Sequence, residues 1–184
     1  TSMGGIAIGT GAITTGQDAL SAGVAATATA RGAIAFGTGS LASGFGSTAI
    51  GLDTRATADQ AISIGGSGAV GTPGATASAT QAAAIGSNSL ASAQKAMAIG
   101  VNASATANSG IAIGVGAKAN QVGGVALGVN AISDIAARAG LDPKTGMAST
   151  SASNVWKSTQ AAVSIGNTTD TRQITHLAAG LDDT

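Results

Sequence analysis

The sequence predicts an all-β protein, a parallel β-solenoid built from coils of fourteen residues, on the basis of three observations. A short phrase recurs along the chain, in which two aliphatic residues flank a small one and glycine follows. Within each repeat the residue types alternate with a period of two, which indicates strands rather than helices. The composition is 44% hydrophobic but only 2% aromatic. Because ordinary cores are filled by large side chains, this composition predicts a thin interior.

The closing glycine of each repeat defines the spacing. The step from one closing glycine to the next is constant, as from Gly9 to Gly23, except for one longer step from Gly65 to Gly86. The closing glycines are Gly9, Gly23, Gly37, Gly51, Gly65, Gly86, Gly100, Gly114 and Gly128. We assign the extra residues of the longer step to an insertion at 66–72, and the distance from Gly128 to Gly166 indicates a second, larger insertion. Glycine suits turns because it accepts positive φ. Each coil therefore contains two short strands and two turns, and stacked coils rise by about 4.8 Å each.

The two alternating runs of each coil predict how its interior is filled. We expect the aliphatic residues of the first run to point inwards and to face alanines of the second run, since large side chains against small ones fill a narrow space. The polar residues of the second run then face water. The charged residues agree with this arrangement, because Arg55 and Lys118 share one outward column.

The small residue between the two aliphatics predicts an interface between chains. It is alanine or serine in all nine repeats, and on the assignment above it points out of the coil. A position facing water would also contain larger polar residues, and a thin coil buries little surface by itself. We therefore expect a homo-oligomer of parallel rods whose interface contains Ala7, Ala35, Ala49, Ala84, Ala98, Ala112 and Ala126.

Composition and charge argue against several partners. Eight basic residues balance eight acidic ones, so the chain lacks the basic footprint that nucleic acid or an anionic membrane requires. No stretch approaches the roughly 18 apolar residues of a membrane span. Cysteine is absent, which excludes disulfides and thiolate chemistry.

Motifs that suggest chemistry have simpler explanations. "GSGAVG" at 66–71 matches a dinucleotide-binding pattern, but Pro73 and Gly74 stand where a helix would have to follow. His176 is the only histidine, so neither a metal site nor a base for a serine nucleophile is built around it. Asp182 and Asp183 are adjacent in sequence, and we expect them to be solvated. We predict no enzymatic activity, no catalytic residue, no cofactor and no metal.

Two stretches carry a family resemblance. "AMAIGVNASATANSGIAIGVGAKANQVGGVALGVNA" resembles the head repeats of trimeric autotransporter adhesins of the YadA-like group. "AAVSIGNTTDTRQITHLAAGLDDT" resembles the neck of the same family, although His176 stands where that family more often has asparagine or a small residue. The resemblance implies a left-handed parallel β-roll in each chain, a homotrimer, and a short neck that leads to a coiled coil.

The resemblance also implies a function. The chain would be the surface-exposed head of a bacterial adhesin, located outside the outer membrane, that attaches to host cells or to an extracellular matrix protein. The stalk and the membrane anchor of such adhesins do not occur in the sequence, so we expect no membrane insertion by this part. A phage tail-fibre segment and an ice-binding β-solenoid remain alternatives, although within the repeats only Thr27 and Thr29 form the Thr-x-Thr pair that ice binding requires. A hexapeptide-repeat acyltransferase does not fit a period of fourteen.

These observations divide the chain into head repeats at 1–132, an insertion at 133–160, and a last head strand with the neck at 161–184. Within the insertion we expect Ser133 to cap a short helix over 134–139 that ends at Gly140. The insertion is either a projecting loop that contributes to binding or a cover over the last coil that Trp156 holds in place.

The neck residues singled out are Arg172, Gln173, Ile174 and Leu177. Ile174, Leu177, Ala178 and Leu181 follow helical spacing and predict one apolar helix face. A helix this short is marginal alone in water, so it would be ordered by the other chains. The resemblance suggests an inter-chain contact for Arg172.

Overall fold

The computed structural model describes residues 4–68, 73–140, 145–150 and 157–176, which contain short β-strands and no helix. In chain order the strands are β1 (Ile6–Ile8), β2 (Ile13–Thr14), β3 (Leu20–Ala22), β4 (Thr27–Ala28), β5 (Ile34–Phe36), β6 (Leu41–Ala42), β7 (Thr48–Ile50), β8 (Arg55–Ala56), β9 (Ile62–Ile64), β10 (Thr76–Ala77), β11 (Ala83–Ile85), β12 (Leu90–Ala91), β13 (Met97–Ile99), β14 (Ser104–Ala105), β15 (Ile111–Ile113), β16 (Lys118–Ala119), β17 (Val125–Leu127), β18 (Ile132–Ser133) and β19 (Val163–Ser164).

The strands form two parallel sheets that wind together into one solenoid. The odd-numbered strands make a 10-stranded sheet, here called sheet A, and the even-numbered strands make a 9-stranded sheet, here called sheet B. Neighbouring strands pair in register one coil apart, so that Met97 lies opposite Ile111. The predicted all-β parallel solenoid with a fourteen-residue coil is confirmed.

The shorter insertion does not disturb the stacking. Ile62 pairs with Ala83, and Arg55 pairs with Thr76, so both sheets continue across the longer step from Gly65 to Gly86. The extra residues therefore lie between β9 and β10. This position agrees with the insertion that the glycine spacing predicts at 66–72.

The core of the roll consists of small side chains. The middle residue of each sheet A strand from β3 to β17 is fully buried within its own chain, and these residues are Ser21, Ala35, Ala49, Ser63, Ala84, Ala98, Ala112 and Ala126. The alanines of sheet B, such as Ala28 and Ala105, are equally buried and face them. Most buried hydroxyls bond to the backbone, as where Ser63 Oγ donates to the Ala75 carbonyl at 2.6 Å.

The predicted direction of the sheet A side chains is therefore wrong. The small column points into the roll, and the aliphatics on either side point out. Six of the seven predicted interface alanines are fully buried within their own chain, which leaves no side-chain surface for another copy to contact: Ala35, Ala49, Ala84, Ala98, Ala112 and Ala126. Ala7 is exposed, and it belongs to β1, the end strand of sheet A, which pairs with β3 alone.

The physical reason for the inversion is the thinness of the coil. Among the described residues, the fully buried hydrophobic side chains of the roll are all alanines. Stacked sheets in ordinary proteins are about 10 Å apart, which leaves room for large side chains on both inner faces. In this coil the largest fully buried side chain is that of Thr54, so the interior is too narrow for the larger aliphatics, which lie on the outside.

Sheet B has the polarity that the sequence predicts. Arg55 and Lys118 are exposed on its outer face, whereas the alanines that follow them, Ala56 and Ala119, are fully buried. The alternation in this sheet is unambiguous because one set of positions is polar. The prediction of a polar outer face is confirmed for sheet B.

The closing glycines are required by both backbone conformation and stacking. All nine adopt a positive φ, between 117° and 135°. At Gly100, where φ is 130°, an added Cβ would lie 2.5 Å from the carbonyl oxygen of Gly114 in the next coil. L-residues with a Cβ rarely adopt this conformation, and the contact leaves no space for a methyl group. The recurring glycine is therefore explained by the coil stacking.

The long insertion contains no helix in its described part, so the helix predicted over 134–139 is wrong. Ser133 belongs to β18 instead of capping a helix, and its Oγ donates to the Ala162 carbonyl at 2.7 Å. Ala139 forms an isolated antiparallel bridge with Lys157, and both the amide and the carbonyl of Arg138 bond to Ser158 Oγ. Trp156, the predicted holding residue, lies outside the described residues. The local backbone is thus paired in an extended conformation.

Candidate interaction surface

The outer face of sheet A is an apolar surface that runs along the roll. Two columns of side chains project from it, one before and one after each buried alanine or serine. Their most exposed members have exposed fractions between 36% and 68%, and they are Ile6, Ile8, Ile34, Phe36, Ile50, Ile62, Ile64, Ile85, Met97, Leu127 and Val163. No described segment of the same chain covers this face. The sequence alone did not identify this face, because the residues on both sides of each sheet A strand are apolar.

The outer face of sheet B is chemically different. Threonine, serine, arginine and lysine alternate there with isolated leucines, and hydroxyl side chains follow most of the buried alanines: Thr29, Ser43, Thr57, Ser78, Ser92 and Thr106. Within this sheet only Thr27 and Thr29 form a Thr-x-Thr pair. The described part of sheet B therefore lacks the regular double ladder of threonines that an ice-binding face needs.

Polar side chains of the turns also form ladders between coils. Asn88 donates to Asn102 Oδ1 at 2.7 Å, and Gln81 donates to Gln60 Oε1 at 2.9 Å. Phe45 donates its amide hydrogen to Asp59 Oδ1 at 2.9 Å. These bonds connect neighbouring coils at the edges of the roll, so the edges are held in fixed positions relative to the sheets.

Arg172 closes the last coil of the roll. In the preceding coil, the carbonyl of Val115 accepts the amide hydrogen of Asn130 at 2.8 Å. The equivalent carbonyl of the last coil, that of Val129, accepts instead from Arg172 Nη2 at 2.6 Å. Arg172 Nη1 also donates to the carbonyl of Ile165. The guanidinium thus supplies a donor that the backbone of a further coil would otherwise supply.

Asn167 orders the turn that carries Arg172. Its Oδ1 accepts the amide hydrogens of Thr169 and Asp170, each at 2.7 Å. Its Nδ2 donates to the Asn130 carbonyl at 2.8 Å and to Asp170 Oδ2 at 2.9 Å. One side chain therefore fixes the local turn and attaches it to the last coil, which positions Arg172.

An open cleft of about 520 Å³ lies beside this closing segment. Its lining is mostly apolar, and Asp134 and Arg172 are the charged residues among its walls. The apolar part comes from Ile132, Ile135, Val163 and Ile165. The cleft therefore lies at the end of the roll that carries β18 and β19.

The remaining neck residues have few contacts. Gln173 is exposed, and 60% of Ile174 is exposed. His176 Nδ1 lies 3.0 Å from Thr175 Oγ1. Leu177, like Ala178 and Leu181, lies outside the described residues, so the neck helix stays a prediction. The inter-chain contact predicted for Arg172 also stays a prediction, since its partners described above belong to its own chain.

The other candidate motifs show no built site. Part of the "GSGAVG" stretch lies outside the described residues, and the next element of the chain, Thr76–Ala77, is a strand of sheet B. Asp182 and Asp183 are outside the described residues as well. Among the residues that the structure describes, no group of three or more His, Cys, Asp or Glu side chains could hold a metal ion. None of the described segments is a helix that could cross a membrane.

Comparisons with known proteins identify the repeat. The family model described as "YadA head domain repeat (2 copies)" matches residues 14–40, 42–67, 91–117 and 105–131, which together make up just over half of the chain. Among solved structures, the collagen-binding domain of the Yersinia adhesin YadA aligns with 100% of this chain and 92% of its own length, with 22% identity and a TM-score of 0.48. No protein of curated function matches the chain. The family assignment rests on the repeats, because the structural alignment is too distant to add to it.

Proposed function

Because this chain belongs to the family defined by the YadA head domain repeat, we propose that it is the head of a trimeric adhesin displayed on the surface of a bacterium. The observation that carries the proposal is the match of that repeat to successive coils in both halves of the roll. Stacked coils make a stiff rod, and a stiff rod holds a binding surface away from the cell. No catalytic chemistry is required for this task.

The trimer is proposed to form through the outer face of sheet A. Parallel sheets are almost always covered on both faces, and in the single chain this face is uncovered and lined with aliphatic side chains. Contiguous apolar patches of this kind mark protein interfaces. Copies of the same rod have matching length and coil spacing, so the columns of one chain can pack along those of another.

The proposed ligand is an extracellular matrix protein or a receptor on a host cell. The support is the family membership, since the heads of this group are adhesive. The outer face of sheet B, with its hydroxyls and its two cations Arg55 and Lys118, would remain accessible when sheet A is covered. It is thus a surface that stays available to a ligand.

Two measurements test the proposal. Sedimentation equilibrium of the purified chain should give three times the mass of one chain, and the trimer should dissociate only as the roll unfolds. The same trimer should bind to at least one of three coated surfaces, collagen, fibronectin and laminin, and not to albumin. A stable folded monomer would contradict the trimer, and the lack of binding to all three matrix proteins and to cultured host cells would contradict the adhesive function.

A further inference from the structure

The long insertion replaces one turn of the last coil. In the preceding coil, Gly124 donates its amide hydrogen to the Gln121 carbonyl at 2.9 Å, and this bond closes the turn from sheet B to sheet A. In the last coil, Ala162 donates in the same way to the Ile135 carbonyl at 3.0 Å. The insertion therefore leaves the roll after Ile135 and returns to it before Ala162, at one edge of the roll.

The two ends of the insertion are bonded to each other and to the roll. Ser158 donates its amide hydrogen to the Arg138 carbonyl at 3.1 Å, and Ser158 Oγ accepts the amide hydrogen of Arg138 at 3.0 Å. The side chain of Gln160 lies over the preceding coil, since a Cβ added to Gly123 would be 2.8 Å from Gln160 Oε1. These contacts hold both ends of the insertion in place beside the last coils.

A second open cleft, of about 480 Å³, is lined by both ends of the insertion and by Val163 of β19; it is here called the insertion cleft. Arg138 and Lys157 are the charged residues among its walls, and Gln160 adds an amide. Most of the remaining lining is apolar, as at Ile135. No acidic side chain is among the described walls, so the charge of the cleft is positive.

The two cations of the insertion cleft are available to a ligand. Arg138 and Lys157 are exposed, and within the part of the chain that the structure describes neither forms an ion pair with an acidic side chain. Asp134, which precedes Arg138 in the chain, lines the other cleft instead. Positive charges without a negative one among them raise the local concentration of anions, and a guanidinium group binds a carboxylate through two parallel hydrogen bonds. The cleft is therefore suited to a ligand that carries a carboxylate.

We propose that the insertion cleft binds an acidic sugar through its carboxylate, with Arg138 and Lys157 as the cationic contacts. Its volume is within the range of roughly 300–1,000 Å³ that is typical of small-molecule sites. A bare inorganic ion would leave most of this space to water and the apolar walls without a partner, whereas a sugar ring fills it. The source of the sugar, a glycan on a host surface, rests on the proposed function, but the chemistry of the cleft does not.

Saturation-transfer NMR with the full chain tests the ligand. The probe is the methyl glycoside of N-acetylneuraminic acid, a sugar with one carboxylate, and its methyl ester is the matched compound without the charge. We expect the acid to bind and the ester to bind at least about tenfold more weakly, because hydrogen bonds to charged groups are the stronger ones. Added salt should weaken the binding of the acid, since the cations are exposed.

Two variants test the site. Arg138→Gln and Lys157→Gln each remove one cation and keep a polar side chain, and each should weaken the binding of the acid by about tenfold. Arg55→Gln is the control, because Arg55 is an exposed cation on the outer face of sheet B, several coils away. It should bind the acid as the wild type does. Circular dichroism checks that all three variants keep the strand content of the roll.

The possible results separate the cleft from the adhesive function. Equal binding of the acid and its ester, no binding of the acid, or unchanged binding in both cleft variants would overturn the proposal. Tighter binding of sodium sulfate or of a tri-aspartate peptide than of the sugar acid would overturn the sugar as the ligand. A wild-type chain that binds the sugar acid but no matrix protein and no host cell would contradict the proposed function and leave the insertion cleft as a sugar site.

Discussion

At the scale of single residues, the space around each position of the repeat limits which side chain it can hold. The closing glycine adopts a φ that L-residues avoid, and the backbone of the next coil lies directly over it. The inward alanine or serine fills a gap in which larger side chains do not fit. The two outward positions on either side of it have no such limit on size, and they contain Ile, Leu, Val, Met or Phe in most coils.

We expect Gly100→Ala to destabilise the roll strongly. The backbone strain costs on the order of 1–3 kcal/mol, and the contact between the new Cβ and the Gly114 carbonyl adds to it. Gly68→Ala is the matched control, because Gly68 has no positive φ and a Cβ there meets nothing within 4 Å. Chemical denaturation measures both. Equal stability of the two variants would contradict the stacking argument.

Ala98→Leu is expected to destabilise the single roll and not merely its assembly. Ala98 is fully buried within its own chain, and overpacking of a tight core costs about 1–3 kcal/mol. Met97→Leu is the control, since Met97 is the adjacent outward residue and is 37% exposed. Thermal unfolding followed by circular dichroism should show a lower midpoint for Ala98→Leu alone. If Ala98→Leu unfolded like the wild type but no longer formed a trimer, the Ala98 side chain would have to point out of the roll, as the sequence alone predicted.

At the scale of the element, each strand is too short to be stable alone, and the ends of the stack need special residues. The strands have two or three residues each, so their stability comes from the ladder of bonds between coils. The last coil lacks a complete neighbour. β19 pairs with β17 on one side, and Arg172 donates to the Val129 carbonyl on the other.

We expect Arg172→Ala to loosen the last coil. The Val129 and Ile165 carbonyls would lose the donor that Arg172 supplies, while the earlier coils keep their backbone bonds. Hydrogen exchange should become faster for amides of residues 125–133 and stay unchanged for residues 97–113. Gln173→Ala is the control, because Gln173 is exposed and adjacent in sequence. Unchanged exchange in the last coil would mean that the guanidinium is not needed to close the roll.

At the scale of the whole molecule, the two sheets have different tasks. The outer face of sheet A is apolar and is proposed to be covered by other copies of the chain. The outer face of sheet B is polar and is proposed to stay in contact with water and ligand. The inner faces of both sheets make one continuous core of alanine and serine along the roll.

Phe36→Lys should therefore prevent trimer formation while leaving the roll folded. Phe36 projects from sheet A and is 56% exposed in the single chain, so a lysine there is tolerated by the roll but not by an apolar interface. Thr27→Lys introduces the same charge on the outer face of sheet B, and it should assemble normally. Sedimentation velocity gives the mass and circular dichroism the strand content. A trimeric Phe36→Lys protein would place the interface elsewhere.

The sequence by itself determined the period, the two sheets, the position of the insertion after Gly65 and the family. Each of these follows from spacing, and spacing is preserved when a chain is coiled at constant length. The polar face of sheet B was also predictable, because Arg55 and Lys118 differ plainly in chemistry from the alanines between which they alternate.

Only the tertiary structure decided which side of sheet A faces inwards. Alternation with a period of two separates the residues of a strand into two faces, but it identifies the inner face only when one face is polar. In "GIAIG" at 110–114 both sets are apolar, so Ala112 and its neighbours Ile111 and Ile113 are equally acceptable inside. The distance across the coil determines which set faces inwards, because the narrow interior admits the methyl group of alanine and excludes the sec-butyl group of isoleucine. That distance depends on how the whole chain winds, so it cannot be inferred from the sequence of a single repeat.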